Sequence, residues 1–154
     1  MAIINATINV SSADLTSSPL ALSKTMTMTK AGNATGVEFS SGLVRRKLTS
    51  QTAIDLVTVG AQMYGTPTSG GANKLYIKNT GSSSTDYVDI AIGSVTTAIV
   101  EQLIATAGNS KITLGKLFGG DWMLIPFEGS ANNDITVTPS TAEAMTIEWM
   151  LFFE

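Results

Sequence analysis

Apolar and polar positions alternate with a period of two along most of the chain. Ile4, Ala6, Ile8 and Val10 share one parity near the N-terminus, and Asn5, Thr7 and Asn9 take the other. Leu20, Leu22, Lys24, Met26 and Met28 alternate with Ala21, Ser23, Thr25, Thr27 and Thr29. Such alternation predicts half-buried strands with β-branched hydroxyl side chains turned outward. Polar residues 11–18, ending at Pro19, read as a connection. Residues 31–36 form a turn cluster, followed by a short strand over 37–39 and a longer one over 43–49. Residues 53–59 are apolar on both faces, which predicts a central strand.

Residues 62–73 carry Gly65, Pro67, Gly70 and Gly71 and read as a long loop. Runs 74–79 and 86–93 flank a glycine- and serine-rich connection, so they predict an antiparallel hairpin. Residues 94–107 stay ambiguous. Val95, Ile99, Leu103 and Ala107 suit a short helix, whereas 98–104 also suits a strand. Further strands are predicted at 112–117, 122–128, 135–139 and 144–154. Phe118-Gly119-Gly120-Asp121 is a tight turn. Pro126 points to an edge strand or a bulge, because it cannot donate to a ladder. In the last run, Met145, Ile147, Trp149, Leu151 and Phe153 face one side.

These elements predict an all-β fold: an antiparallel two-sheet sandwich, jelly-roll-like, with at most one short helix. Residues 1–18 read as an N-terminal arm or edge strand and residues 19–154 as the sandwich domain. No fixed-period repeat is present, which argues against propellers and solenoids.

Composition narrows the chemistry more than it suggests any. Apolar residues make up 44% of the 154 and charged residues 14%, against about 25% in an ordinary soluble domain. Serine and threonine number 37. With no cysteine, disulfides, thiolate metal sites and cysteine nucleophiles are excluded. With no histidine, the usual general base and the Ser-His-Asp triad are excluded. A net charge of −3 and a pI near 4.8 speak against binding nucleic acid through phosphate neutralisation. No apolar run reaches the 18 or so residues of a membrane span, and residues 1–10 do not resemble a secretory signal. No cofactor is expected.

Several constellations have a functional and a plain reading. Asp86 and Asp89, three apart on a strand, face opposite sides, which suits solvated charges better than a dyad. Asp121, after Gly119 and Gly120, reads as a turn carboxylate accepting local N–H bonds. Asn132-Asn133-Asp134 lacks the spacing of a calcium loop. Asn5, Asn9 and Asn33 sit in glycosylation-like triplets that a Ser/Thr-rich chain produces by chance. Arg45, Arg46 and Lys47 form the one basic run. They suit either docking on an acidic protein surface or protection of a sheet edge. Aromatics crowd the last third, and residues 149–153 are apolar on both faces. One face must meet the core, so the other is expected to be covered by a loop, a helix or another subunit, with a subunit interface favoured.

An ordered set of pieces carries a resemblance. It runs through Leu75-Tyr76-Ile77-Lys78-Asn79, Tyr87-Val88-Asp89-Ile90-Ala91-Ile92-Gly93 and Ile112-Thr113-Leu114-Gly115-Lys116-Leu117. It continues through Gly120-Asp121-Trp122-Met123-Leu124-Ile125-Pro126-Phe127, Asp134-Ile135-Thr136-Val137 and Met145-Thr146-Ile147-Glu148-Trp149. Over residues 73–154 the chain resembles the small β-sandwich virion proteins of tailed bacteriophages, in particular the capsid decoration, or cement, type. The resemblance implies a non-enzymatic protein on the outer capsid surface. Its partners would be the major capsid protein and copies of itself in a homotrimer, with neither nucleic acid nor membrane involved. It supplies no catalytic residues.

On that expectation the capsid contacts are Ile3, Ile4 and Ile8 in the arm, with Arg45, Arg46 and Lys47. Contacts between copies fall to Trp149, Phe152 and Phe153 and to the loop over 62–73. Two rivals remain open. One is a tail-associated or fibre module that binds a host-surface glycan. The other is a carbohydrate-processing enzyme, which needs a carboxylate pair about 5–9.5 Å apart.

Overall fold

The computed structural model describes residues 4–14, 20–29, 36–37, 39–58, 73–93, 112–127 and 134–153. The chain divides into two compact units, Met1–Glu38 and Phe39–Glu154. The boundary lies twenty residues beyond the one expected at 18/19. The second strand belongs to the first unit, because its partner is the first strand.

In the first unit, β1 (Ile4–Ser12) pairs antiparallel with β2 (Leu20–Met28) from Ile4↔Met28 to Ser12↔Leu20. The register puts the apolar parities of both strands on one face of a two-stranded ribbon. Val37 N–H donates to the Met28 carbonyl, and both residues are buried.

Among the described residues the second unit holds nine strands: β3 (Phe39–Ser40), β4 (Val44–Leu48), β5 (Ile54–Val57), β6 (Asn73–Asn79), β7 (Tyr87–Ile92), β8 (Ile112–Phe118), β9 (Trp122–Phe127), β10 (Ile135–Pro139) and β11 (Met145–Phe153). They make two antiparallel sheets. One runs β5-β10-β7-β8. The other runs β3-β11-β6-β9, with β4 also paired to β11. The inner faces share one core, in which Leu75, Ile77, Val88, Ile90, Ile135, Val137, Ile147 and Leu151 are at most 1% exposed. The architecture is a β-sandwich, and no helix occurs among the described residues.

The pairing is nested. β4 lies beside β11, β5 beside β10, β6 beside β9 and β7 beside β8. Chain segments far apart in sequence therefore meet, and the connections on either side of β6 lead to the opposite sheet. This corrects the expected hairpin between residues 74–79 and 86–93. β6 pairs with β11 and β9, while β7 pairs with β10 and β8. Residues 80–86 are long enough to cross the ~10 Å between stacked sheets, which a two-residue turn is not.

A second correction concerns β5, which lies at an edge rather than centrally. Its pairing with β10 is irregular: Val57 faces Ile135, but Asp55 faces Thr136 and Ile54 faces Val137. The bulge breaks strict alternation, so consecutive apolar residues signal a re-aimed strand here rather than two covered faces. Pro126 does lie on an edge strand, β9.

Asn79 joins the two sheets. It is 1% exposed, its Nδ2 donates to the Leu117 carbonyl at 3.1 Å, and its Oδ1 accepts from Gly81 N–H at 2.9 Å. Its backbone N–H donates to Asp121 O, and its carbonyl accepts from Gly120 N–H. Beside it, Gly119 N–H donates to Ser83 O, and a Cβ on Gly119 would lie 2.6 Å from Ser83 N. Only glycine allows that approach of two backbones. Asp121 closes the turn as expected, its carboxylate accepting from Phe118 N–H at 3.0 Å.

The ambiguous residues 94–107 and the loop over 62–72 lie outside the described residues, as do Asn132 and Asn133.

Candidate docking surfaces

Three surfaces bear on function, and the ribbon of the first unit is the plainest. Its polar face is a ladder of uncharged side chains. Thr27 donates to Asn5 Oδ1 at 2.8 Å, Thr7 and Thr25 hydroxyls meet at 2.9 Å, and Ser23 donates to Asn9 Oδ1 at 2.6 Å. Its other face exposes Ile8, Val10, Leu20, Leu22 and Met26, each 38–44% accessible. Ile4 is half-buried on the same face, and Ile3 lies outside the described residues. Scattered exposed apolar residues are ordinary, but five on one face of one ribbon, gathered around Lys24 opposite Ile8, are of the kind that marks contact sites.

The basic run sits on β4, and the register splits it. Arg45 and Lys47 pair with Glu148 and Thr146 on the outer face, whereas Arg46 stands opposite buried Ile147 on the core side. All three are exposed. A charge on the core side of a strand at the sheet margin discourages another strand from adding there. Arg46 and Lys47 also line a small open cleft with Thr49, Ser50, Thr52 and Pro139, among whose lining residues there is no carboxylate.

β11 corrects the expected contact between copies. Trp149 is 6% exposed, Phe152 8% and Phe153 2% within the single chain. Trp149 and Phe153 face the sandwich core with Leu151 and Ile147. Phe153 also stacks on Phe39, ring centroids 5.5 Å apart. Trp149 and Phe153 are thus taken up by the chain's own core, while β11, flanked by β6 on one side and by β3 and β4 on the other, turns Glu148 and Met150 to the outer face of its sheet.

The third surface, the outer face of this larger sheet, was not foreseen. Register places Arg45, Glu148, Lys78 and Trp122 in one row across four strands. Met150, Tyr76 and Leu124 form the next row, and Phe152, Lys74 and Pro126 the one after. Trp122 is 46% exposed, and its ring lies 6.3 Å from that of Tyr76. Arg45 Nε donates to Glu148 Oε2 at 3.2 Å, and Tyr76 O–H donates to Glu148 Oε1 at 3.3 Å. Burial, then the Glu148 charge and the hydrogen bond to it, push the Tyr76 hydroxyl above its ordinary pKa of 10.0. Among its described residues the face carries Lys47 and Lys78 besides the Arg45–Glu148 pair, in a chain whose net charge is −3.

No group of three or more acidic, histidine or cysteine side chains among the described residues could hold a metal ion. Comparison with family models, with curated proteins and with solved structures finds no match to this chain.

Proposed function

We propose that the chain is a bacteriophage capsid decoration protein, a jelly-roll sandwich that docks on the outer capsid and bridges its subunits. The ribbon with one open apolar face carries this reading. A two-stranded hairpin is marginally stable in water unless its apolar face packs against something. The nested pairing of β4–β11, β5–β10, β6–β9 and β7–β8 supports the jelly-roll form. An uncharged Thr/Asn/Ser ladder on the second face suits close lattice packing, because it carries no repulsive charge.

The mechanism is mass action. A protein that binds only the mature lattice stabilises that lattice in proportion to its occupancy. The arm supplies apolar contact through Ile8, Val10, Leu20, Leu22 and Met26, and Arg46, exposed on the other side of β4, supplies orientation.

The exposed Trp122 beside Tyr76 favours a second reading, a tail-associated module for a host glycan. Their rings are inclined by 38° and so offer no single stacking plane, which makes this the weaker reading. Immunogold labelling of phage particles carrying the chain separates the two. Dense label over the head is expected. Sparse label at the tail favours the second reading, and label on neither overturns both.

A further inference from the structure

We propose that the outer face of the β3–β4–β11–β6–β9 sheet receives the acidic loop end of a second copy of this chain. Four connections gather at one end of the sandwich: residues 49–53, 80–86, 119–121 and 140–144. Hydrogen bonds tie them together, among them Gln51 to Ser140 O, Tyr87 N–H to Ser140 Oγ and Thr80 to Thr146 O. These loops hold Asp86, Asp121 and Glu143 and no lysine or arginine. On the sheet face Arg45 pairs with Glu148, and Lys47 and Lys78 add positive charge. Face and loop end thus carry opposite charge on the same molecule.

Complementary surfaces at two different places on one chain define a head-to-tail contact rather than a two-fold one. Face against face would bring like charges together, so a symmetric sheet-to-sheet dimer is disfavoured. Tyr76 and Met150 on the inner strands, with Leu124 and Trp122 on edge strand β9, give the face aromatic and methionine character, and Arg45 and Lys78 share a row with Trp122. Four strands at ~4.8 Å spacing give a patch about 20 Å across. That is at the small end of specific interfaces, so the contact is weak and salt-sensitive. The proposal deepens the decoration reading by naming how copies meet. Its test needs no capsid, so either can fail alone.

Sedimentation of the full chain at on the order of 100 µM and about 50 mM salt should show oligomers that dissociate when salt is raised tenfold. The double variants Lys47→Glu/Lys78→Glu and Asp86→Lys/Glu143→Lys should each weaken self-association by about tenfold or more. Mixed in equal amounts, the two should associate again, because each supplies the charge the other lacks. Circular dichroism checks that both remain folded, and Trp122→Ser serves as a neutral face variant if either does not. A parent chain that stays monomeric overturns the proposal. So does association that ignores the face variants, or a mixture that fails to recover.

Discussion

The ribbon of residues 4–28 and the sandwich of residues 39–153 use the same alternation and reach opposite outcomes. In β6 and β11 every second residue enters a shared core, and Leu75, Ile77, Ile147 and Leu151 are at most 1% exposed. In β1 and β2 the same pattern aligns Ile8, Val10, Leu22 and Met26 on one face, where each remains 42–44% exposed. The sandwich has a second sheet to pack against, whereas the ribbon is two strands wide. Alternation specifies which residues share a face. Whether that face is covered depends on how many strands gather around it, and below three strands the apolar side is left for a partner.

The widest expected contrast comes from truncating one residue in each region. Ile147→Ala should destabilise the chain by about 2–5 kcal/mol, as removal of a fully buried side chain does. Leu22→Ala should stay within about 0.5 kcal/mol, the range of surface substitutions. Urea unfolding followed by circular dichroism, which reads the strands of both units, measures both, and a comparable loss at Leu22 would dissolve the contrast. Next in size is Gly119→Ala, where a new Cβ at 2.6 Å from Ser83 N and 2.7 Å from Ser82 C must push two connections apart. We expect a loss of about 1–3 kcal/mol.

Smaller still is Trp149→Phe. The buried indole N–H finds no hydrogen-bond partner among the described residues, so removing it relieves a desolvated donor. That gain offsets the lost volume, and the net change should stay within about 1 kcal/mol, against about 3–5 for Trp149→Ala. A large loss in Trp149→Phe would show that the N–H is satisfied after all.

The smallest effect is a pH dependence. Tyr76 has a raised folded-state pKa, so its contribution to stability is complete below pH 10.0 and is lost as pH climbs through the raised value. Ionisation there would set a phenolate against the Glu148 carboxylate. Tyr76→Phe should therefore flatten the alkaline arm of the stability profile and leave the profile near neutrality unchanged. An unchanged alkaline arm would remove Tyr76 from the account.

Much of this was legible before the structure. Parity in residues 4–10, 20–28 and 145–153 reports strands and faces directly, Pro126 reports an edge, and Gly119-Gly120-Asp121 reports a turn. Partner choice was not legible. Local turn chemistry around residues 80–86 looks alike whether the chain folds back beside itself or crosses to the facing sheet. The apolar run in β5 mimicked a central strand because a bulge also breaks alternation. Apolar character on both faces of residues 149–153 suggested a second subunit, yet Trp149, Leu151 and Phe153 fill the chain's own core. The cationic face was invisible because Arg45, Lys78, Trp122 and Glu148 come from four strands and meet only through register. Asn79 gave no signal either, since a buried asparagine reads like any turn residue until both of its amide atoms find partners.

Native-state hydrogen exchange on the isolated chain tests the central claim most directly. If the ribbon awaits a partner while the sandwich stands alone, ladder amides of β6 and β11 should exchange only through global unfolding. Those of β1 and β2 should exchange by local opening, on the order of a hundredfold faster or more. Equal protection in both regions would contradict the account, because it would mean that the ribbon is already held as firmly as the core.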